Sequence, residues 1–393
     1  MAEQGSAFAA FGRPIRLGLV GGSHGFIGPV HRTAALLDRR FVLTAGTLSS
    51  DPGRGWAAGI AIGLDPERCY PDVPAMLAGE AGRGDGIEAV AIMSPNAHHA
   101  AAARAALAAG LDVICDKPLT TTLDDALALV RAAEASGLVF CTTYNYSAYP
   151  MVRQAQAMVR NGVLGLIRQV HTTYVQGHNA TLVEADPARR GWRFDPALCG
   201  ESLILGDIGT HAHHLAAFVS GLELEAVLAD LHAVVPGRQA HDYGAVLQRW
   251  SGGVPGTMWV TNAAAGAEHG LSFRIFGELG GLEWHQERPN ELRHRRLSGF
   301  EQILTRRLHG ALLPEAERLV RVEIGHPEGY QEAFANLYRD VAEAIAARRT
   351  GVPADPLALE FPTVRDGAAG MAFIAGALES QRTGTWADCR LRP

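Results

Sequence analysis

Cysteine is scarce in this chain of 393 residues, which holds five, Cys69, Cys115, Cys141, Cys199 and Cys389, with no C-x-x-C spacing among them. That scatter excludes a disulfide framework and a thiolate zinc site and leaves reduced, buried thiols as the reading. Charge is thin as well, at 19% of residues with a formal net charge of -6, and no block of Lys and Arg interleaves with aromatics. Nucleic acid is therefore not an expected partner. No apolar run is long enough to cross a bilayer, and the opening stretch MAEQGSAFAAFGRP lacks a basic region followed by an apolar core. A cytoplasmic protein without membrane contact is expected. What remains, with 47% hydrophobic residues and no low-complexity segment, is globular composition at a length that suits two domains.

From Ile15 the chain alternates apolar runs of strand length with Ala- and Leu-rich helical stretches, the order of a parallel sheet covered by helices. The strands expected are 15–20, 41–48, 87–93, 112–115 and 138–142. Thr122 reads as an N-cap with Asp125 three residues on, and Gly137 as the stop, which predicts a crossover helix over 123–136. The first strand runs into GGSHGFIGPVH, residues 21–31, and then into a helical stretch from about Val30 to Leu37. Glycines allow a tight turn and close approach to a pyrophosphate, and the following helix N-terminus favours its charge. Gly21, Gly22, Ser23, Gly25, Phe26, Ile27 and Gly28 are thus candidate cofactor contacts, although first and last glycine stand two residues further apart than in G-x-G-x-x-G. After the second strand come Ser49, Ser50 and Asp51, with Arg54 in reach. The serines and Arg54 suit the 2′-phosphate of NADP and Asp51 the ribose hydroxyls of NAD, so both cofactors stay open.

Three stretches in order resemble the glucose-fructose oxidoreductase / inositol dehydrogenase / rhizopine-catabolism (Gfo/Idh/MocA) family. They are the glycine loop ending Gly28-Pro29-Val30-His31, the segment SPNAHHAAAARAALAAGLDVICDKPL at 94–119, and GDIGTHAHHL at 206–215. The resemblance implies an α/β protein: an N-terminal Rossmann dinucleotide-binding domain, drawn at 1–145, and a substrate-binding and oligomerisation domain, drawn at 146–393, with a large, mostly antiparallel open sheet. Runs 166–176, 226–235, 243–250, 256–261 and 271–276 read independently as strands. It further implies cofactor contacts from Ser94, Pro95, Asn96, His99, Asp116 and Lys117. Departures are Asp116 for the family's usual Glu, Ser147 where relatives often carry Arg, and His214 near a common Asp.

Oxidising a secondary alcohol needs a base for the hydroxyl proton while hydride leaves to the nicotinamide. Lys117, Asp207 and His211 are the catalytic candidates. Lys117 ends a strand, where ligands of open α/β sheets bind, and the resemblance implies an unusual Lys117–Pro118 bond, with a cis form among the expectations. Asp207 and His211, four apart, share one face of a helical turn, and His211 is read as proton acceptor with Asp207 orienting it or a substrate hydroxyl. His211, His213 and His214 invite a metal reading, but the last two cannot both share the face of His211, so no metal is expected. Asn145, Tyr146, His178, Trp192, Arg193 and His326 are the further candidates for the wall of a polyol pocket.

The activity expected is hydride transfer between NAD or NADP and a secondary alcohol carbon of a sugar, glycoside or inositol. Two alternatives stand beside it: a glycosidase or lyase that keeps NAD bound and oxidises its sugar transiently, and a non-catalytic dinucleotide-binding sensor. The resemblance and a bare sheet face together imply a homodimer or homotetramer.

Overall fold

The computed structural model describes residues 6–186, 191–306 and 312–392. Its first sheet holds β1 (Ile15–Gly21), β2 (Phe41–Thr47), β3 (Ala89–Met93), β4 (Asp112–Cys115) and β5 (Phe140–Thr142), all parallel, in the order β2-β1-β3-β4-β5. β3 is buried at every residue, as a strand covered on both faces must be. The strand order reverses between β1 and β3, and such a reversal opens a crevice beyond the carboxyl ends of the strands. Helix Leu123–Ser136 follows the reading closely: the Thr122 side chain accepts from Asp125 N at 3.2 Å, and Gly137 ends it in the left-handed region at φ 63°.

Among the described residues the second sheet has nine strands: β6 (Ile167–Val175), β7 (Leu224–His232), β8 (Tyr243–Trp250), β9 (Val254–Thr261), β10 (Gly270–Gly277), β11 (Gly280–His285), β12 (Glu291–Arg296), β13 (Gln302–Thr305) and β14 (Ala387–Asp388). They run in the order β13-β12-β11-β10-β6-β9-β8-β7-β14, and only β6 and β9 pair in parallel. Alternation sets its two faces. Val246, Met258, Val260, Phe273 and Ile275 are buried beneath helices, while Leu247, Trp259 and Phe276 lie exposed on the other face.

Two late helices close the fold. Helix Tyr330–Thr350 packs on helix Ile27–Leu37, where Tyr338 Oη lies 2.8 Å from His31 Nδ1 and its ring meets Phe41 edge-on at 5.4 Å. Helix Val364–Thr383 packs on both helix Leu123–Ser136 and β7. Thr142 N donates to Pro362 O at 3.0 Å, so the chain returns to the edge of the first sheet.

Candidate active site

The glycine loop is built for something other than itself. Gly21, Gly22 and Gly25 have φ of 79°, 76° and 80°, and a Cβ on Gly28 would stand 2.1 Å from Gly22 O. Helix Ile27–Leu37 starts three residues earlier than the sequence suggested, because Pro29 falls in its first turn, where a missing N–H is harmless. It has no side-chain cap, whereas Thr122, Asp51 and Asp72 cap the helices that follow them. Uncapped N–H groups beside a glycine cradle fit a dinucleotide pyrophosphate. Ser23 N is engaged with Leu48 O at 3.2 Å, and Phe26 is exposed with its ring 5.6 Å from Tyr330. At the end of β2, Asp51 accepts from Arg54 N at 2.8 Å and lies 3.7 Å from Arg54 Nε, while Ser49 Oγ accepts from Asp51 N and Ser50 is exposed.

Across the crevice, Ser94 Oγ is buried and unpartnered among the described residues, as are both amide atoms of Asn145. Buried polar atoms without partners are costly, so their place at the carboxyl ends of β3 and β5 fits a polar ligand. The other residues of these loops hold one another. Asn96 Nδ2 donates to Cys199 O at 2.9 Å, tying the turn after Ser94 and Pro95 to the segment ahead of Asp207. His99 puts Nδ1 2.9 Å from Pro118 O and Nε2 2.9 Å from Ser94 O, which makes it a brace between loops. Asp116 accepts from Lys117 N and from Thr143 Oγ1, both at 2.9 Å.

The Lys117–Pro118 peptide is cis. Lys117 Nζ donates to the Asp207 main-chain oxygen and to Asp207 Oδ1, the latter at 3.2 Å. Arg193 Nε stands 3.7 Å from the same Oδ1, and its guanidinium covers Trp192 at 4.7 Å. Burial works to raise the Asp207 carboxyl, but Lys117 and Arg193 outweigh it and hold the group below its ordinary range. His178, exposed nearby, is shifted down by partial burial against the pull of Asp207.

The pairing expected of Asp207 and His211 does not occur. Residues 205–209 form a π-helical turn before helix Thr210–Ser220, the wider turn alters the four-residue spacing, and no hydrogen bond joins the two side chains among the described residues. Asp207 serves Lys117 instead. His211 lies among aromatic rings, Tyr146 edge-on at 4.8 Å, Tyr144 at 5.6 Å and Tyr174 at 6.3 Å, with a buried, unpartnered Nδ1. Burial first, then Lys117, His214 and His269, push its pKa well below the ordinary histidine value. Its neighbours diverge: His213 stacks on Phe373 at 5.2 Å and His214 on Tyr144 at 4.4 Å.

His326 departs further from expectation. It is exposed, with Nδ1 3.3 Å from Glu323 O, because the turn that carries it is drawn away by Arg306, which donates to the His326 main-chain oxygen at 2.7 Å. The residue of that segment at the cleft is Tyr330, whose ring meets both Phe26 and Tyr146. Tyr174, Gln176 and His269 also went unforeseen. Tyr174 was open to discovery, since it alternates inward with Val170 and Thr172 on β6, but His269 lies in a loop with no periodicity to mark it.

Comparison with known proteins agrees with this geometry. Residues 15–144 match the oxidoreductase family with an NAD-binding Rossmann fold, and residues 152–283 match the GFO/IDH/MocA C-terminal domain. The uncharacterized oxidoreductase YfiI of Bacillus subtilis is 35% identical over 384 residues, 96% of this chain and 97% of its own. Levoglucosan dehydrogenase of Pseudarthrobacter phenanthrenivorans is 30% identical over 230 residues, covering 52% of this chain and 57% of that protein. An inositol dehydrogenase homolog from Azotobacter vinelandii, solved with NAD+, superposes with a TM-score of 0.91 at 38% identity, over 96% of this chain and 98% of its own. The same homolog with NADH and myo-inositol gives 0.88 at 37% identity, over 96% and 98% of the two chains. With the glycine cradle at the strand reversal and an open, mostly antiparallel second sheet, the chain belongs to the Gfo/Idh/MocA family of NAD-binding oxidoreductases.

Proposed function

We propose that the chain is an NAD-dependent dehydrogenase of a sugar, glycoside or inositol, acting on a secondary alcohol carbon. The observation that carries the reading is the arrangement of Lys117, Asp207 and His211 beyond the ends of β4 and β5, on the side where the glycine cradle opens. The loop 21–28, with Ser94 and Asn145, would hold the dinucleotide. When bound, its nicotinamide ring supplies the acceptor for hydride.

The chain's own groups then divide the work. An ammonium has three N–H donors, and Asp207 engages two of those of Lys117, which leaves one for the reacting oxygen. Asp207 fixes that nitrogen. His211, neutral near pH 7 because it is buried beside a cation, accepts the hydroxyl proton. Arg193, Trp192, His178, Tyr146 and Asn145 offer the polar and flat surfaces that grip a polyol ring. NAD is favoured over NADP because Arg54, the cation nearest the end of β2 in sequence, is already paired with Asp51, and because the Azotobacter homolog was solved with NAD+ and NADH.

The exposed side of the second sheet, with Leu247, Trp259 and Phe276, suits a second copy of the chain, so a homo-oligomer is part of this reading. No helix among the described residues is long and apolar enough to cross a membrane, and with five free thiols a cytoplasmic setting completes the proposal. The deciding experiment offers sugars and inositols with NAD and with NADP and follows the nicotinamide absorbance band. Multiple turnovers of NADH per subunit are expected. No turnover with any polyol, or one turnover that stops with product retained, would overturn it.

A further inference from the structure

A buried base must pass its proton on before the next cycle. His211 is walled by Tyr144, Tyr146 and Tyr174, its Nδ1 meets no partner among the described residues, and the nearby charge of Lys117 repels an imidazolium. Once nucleotide and polyol fill the cleft, the direct way to water is closed. The structure holds another way out. Tyr146 Oη lies 2.7 Å from Tyr174 Oη and 2.9 Å from His269 Nε2, and Tyr174 Oη lies 2.6 Å from the same Nε2. Both tyrosines are buried, at 3% and 2% exposure, whereas His269 is half-buried. The three groups thus run from the ring of His211 toward the surface.

We infer that Tyr146, Tyr174 and His269 form a proton path between the reaction site and solvent. The inference rests on the dehydrogenase reading above. In the oxidation direction the C–H bond breaks and its hydrogen leaves with both electrons to NAD+, the O–H bond breaks, and a carbonyl forms. The proton taken by His211 passes to Tyr146 Oη across a water or a hydroxyl of the polyol, as the two rings meet at 4.8 Å. Tyr146 gives its own proton to Tyr174, Tyr174 gives its own to His269 Nε2, and the imidazolium releases one to water. One proton enters and one leaves, so the path is unchanged after each turnover. In reduction the same hops run backwards.

Two features equip His269 for the outer end. Hydroxyls donate and accept at once, so the tyrosines relay a proton without holding charge. Behind the imidazole, Gln176 Nε2 stands 2.8 Å from Nδ1, and Gln176 Oε1 is buried without a partner among the described residues. A half-turn of that amide offers a donor or an acceptor to Nδ1, and so accommodates His269 bare or protonated there. The charged and titratable groups facing His269 are His178, Glu287, Asp207 and Lys117 besides the two tyrosines, and Glu287 Oε1 also accepts from His269 N at 3.0 Å.

The test separates proton exit from hydride transfer. Tyr174→Phe removes one of the two hydroxyls that reach His269 Nε2 and keeps the ring, and His269→Ala removes the outer end that both share. In His269→Ala, rapid mixing with NAD+ and an accepted polyol should show a first turnover of NADH at nearly the parent rate, followed by steady-state oxidation slowed about tenfold or more, and Tyr174→Phe, which leaves Tyr146 Oη 2.9 Å from His269 Nε2, should slow it less. Imidazole added to the buffer should restore His269→Ala in proportion to its concentration and leave the parent unaffected. Unchanged steady-state rates, or loss of the first turnover together with the rest and no rescue, would overturn the path. A second measurement needs no turnover: in chain carrying nitrogen-15 histidine, the His269 titration should move in both Tyr174→Phe and Tyr146→Phe. Titrations unmoved in both would also reject the path. If they move while the parent reduces NAD+ with no polyol, the dehydrogenase reading fails and the linked cluster stands.

Discussion

The two walls of the cleft are made of different material. On the first sheet, the chain shapes a ligand site mainly from backbone: positive φ at Gly21, Gly22 and Gly25, a Gly28 with no room for a Cβ, and an uncapped helix. On the other wall stand side chains gathered from far apart, Tyr174, Asp207, His211 and His269, each held by packing or by another side chain. A backbone site tolerates nearly any residue that leaves the turn intact. A side-chain site changes with each substitution.

The sharpest way to break the comparison is at Lys117. Lys117→Ala should cut turnover by about 100- to 10,000-fold, because it removes a donor used at the reacting oxygen. Melting temperature and nucleotide affinity, measured by calorimetry, should stay close to the parent's. Turnover near the parent value would reject its role.

Gly28→Ala attacks the other wall. The added Cβ would meet Gly22 O at 2.1 Å, closer than any contact real atoms allow, so the cradle must open. Nucleotide affinity should fall about tenfold or more, while the titration of His269, in the opposite wall, should not move. Equal damage to both would show that the walls are one unit.

A pH series sharpens the comparison further. If neutral His211 is the base, the acid limb of kcat/KM should lie well below the ordinary histidine range, since burial and Lys117 hold its pKa down, and His211→Asn should abolish that limb. Folding should respond over a related window. Burial lowers His31 to about 4, His214 to about 4 and His213 to about 3. Below pH about 6.5 the unfolded chain binds protons that the folded chain refuses, so each imidazole removes stability at about 1.4 kcal/mol per pH unit until its folded pKa is reached. Denaturant melts should therefore show full stability above pH about 6.5 and a steep loss toward pH about 4. A flat profile across that interval would contradict the burial of these rings as neutral groups.

The smallest effect is expected at Arg54, whose pair with Asp51 is exposed. Arg54→Ala should change stability by no more than about 0.5 kcal/mol and leave the preference for NAD in place. A selective loss of NADP use would instead assign Arg54 to a 2′-phosphate.

The same contrast decided what the sequence made legible. Thr122, Asp125 and Gly137 announce a helix because capping is local chemistry, and the glycine loop is legible because a backbone site must be written in consecutive residues. The start at Ile27 was misread because Gly28 and Pro29 look like loop to any local rule, although Pro is at home in a first turn. The Asp207 and His211 pairing failed for a different reason. An α-helical repeat was assumed where the chain makes a π turn, and nothing in GDIGTH signals that change. His326 drew attention as a histidine between glycine and proline, yet Tyr330, four residues on, reaches the cleft. Contacts between residues 269 and 174, or 330 and 26, depend on the register of β6 with β10 and on where the last helices dock. Those are tertiary facts.

Helix Tyr330–Thr350 also bears on how such a protein can be cut and recombined. Its Phe334 and Tyr338 cover His31 and Phe41, Glu343 receives Ala7 N at 2.7 Å, and Arg348 Nη2 reaches the buried Asp112 at 2.7 Å. The nucleotide-binding half is thus completed by a segment encoded some two hundred residues after its last strand. A gene fragment ending at residue 145 would expose an apolar helix face and leave the buried Asp112 with Val139 N but without Arg348, and a chimera that exchanged everything after that point would import a foreign clasp. Shuffling within the family must carry this helix along with the half it closes.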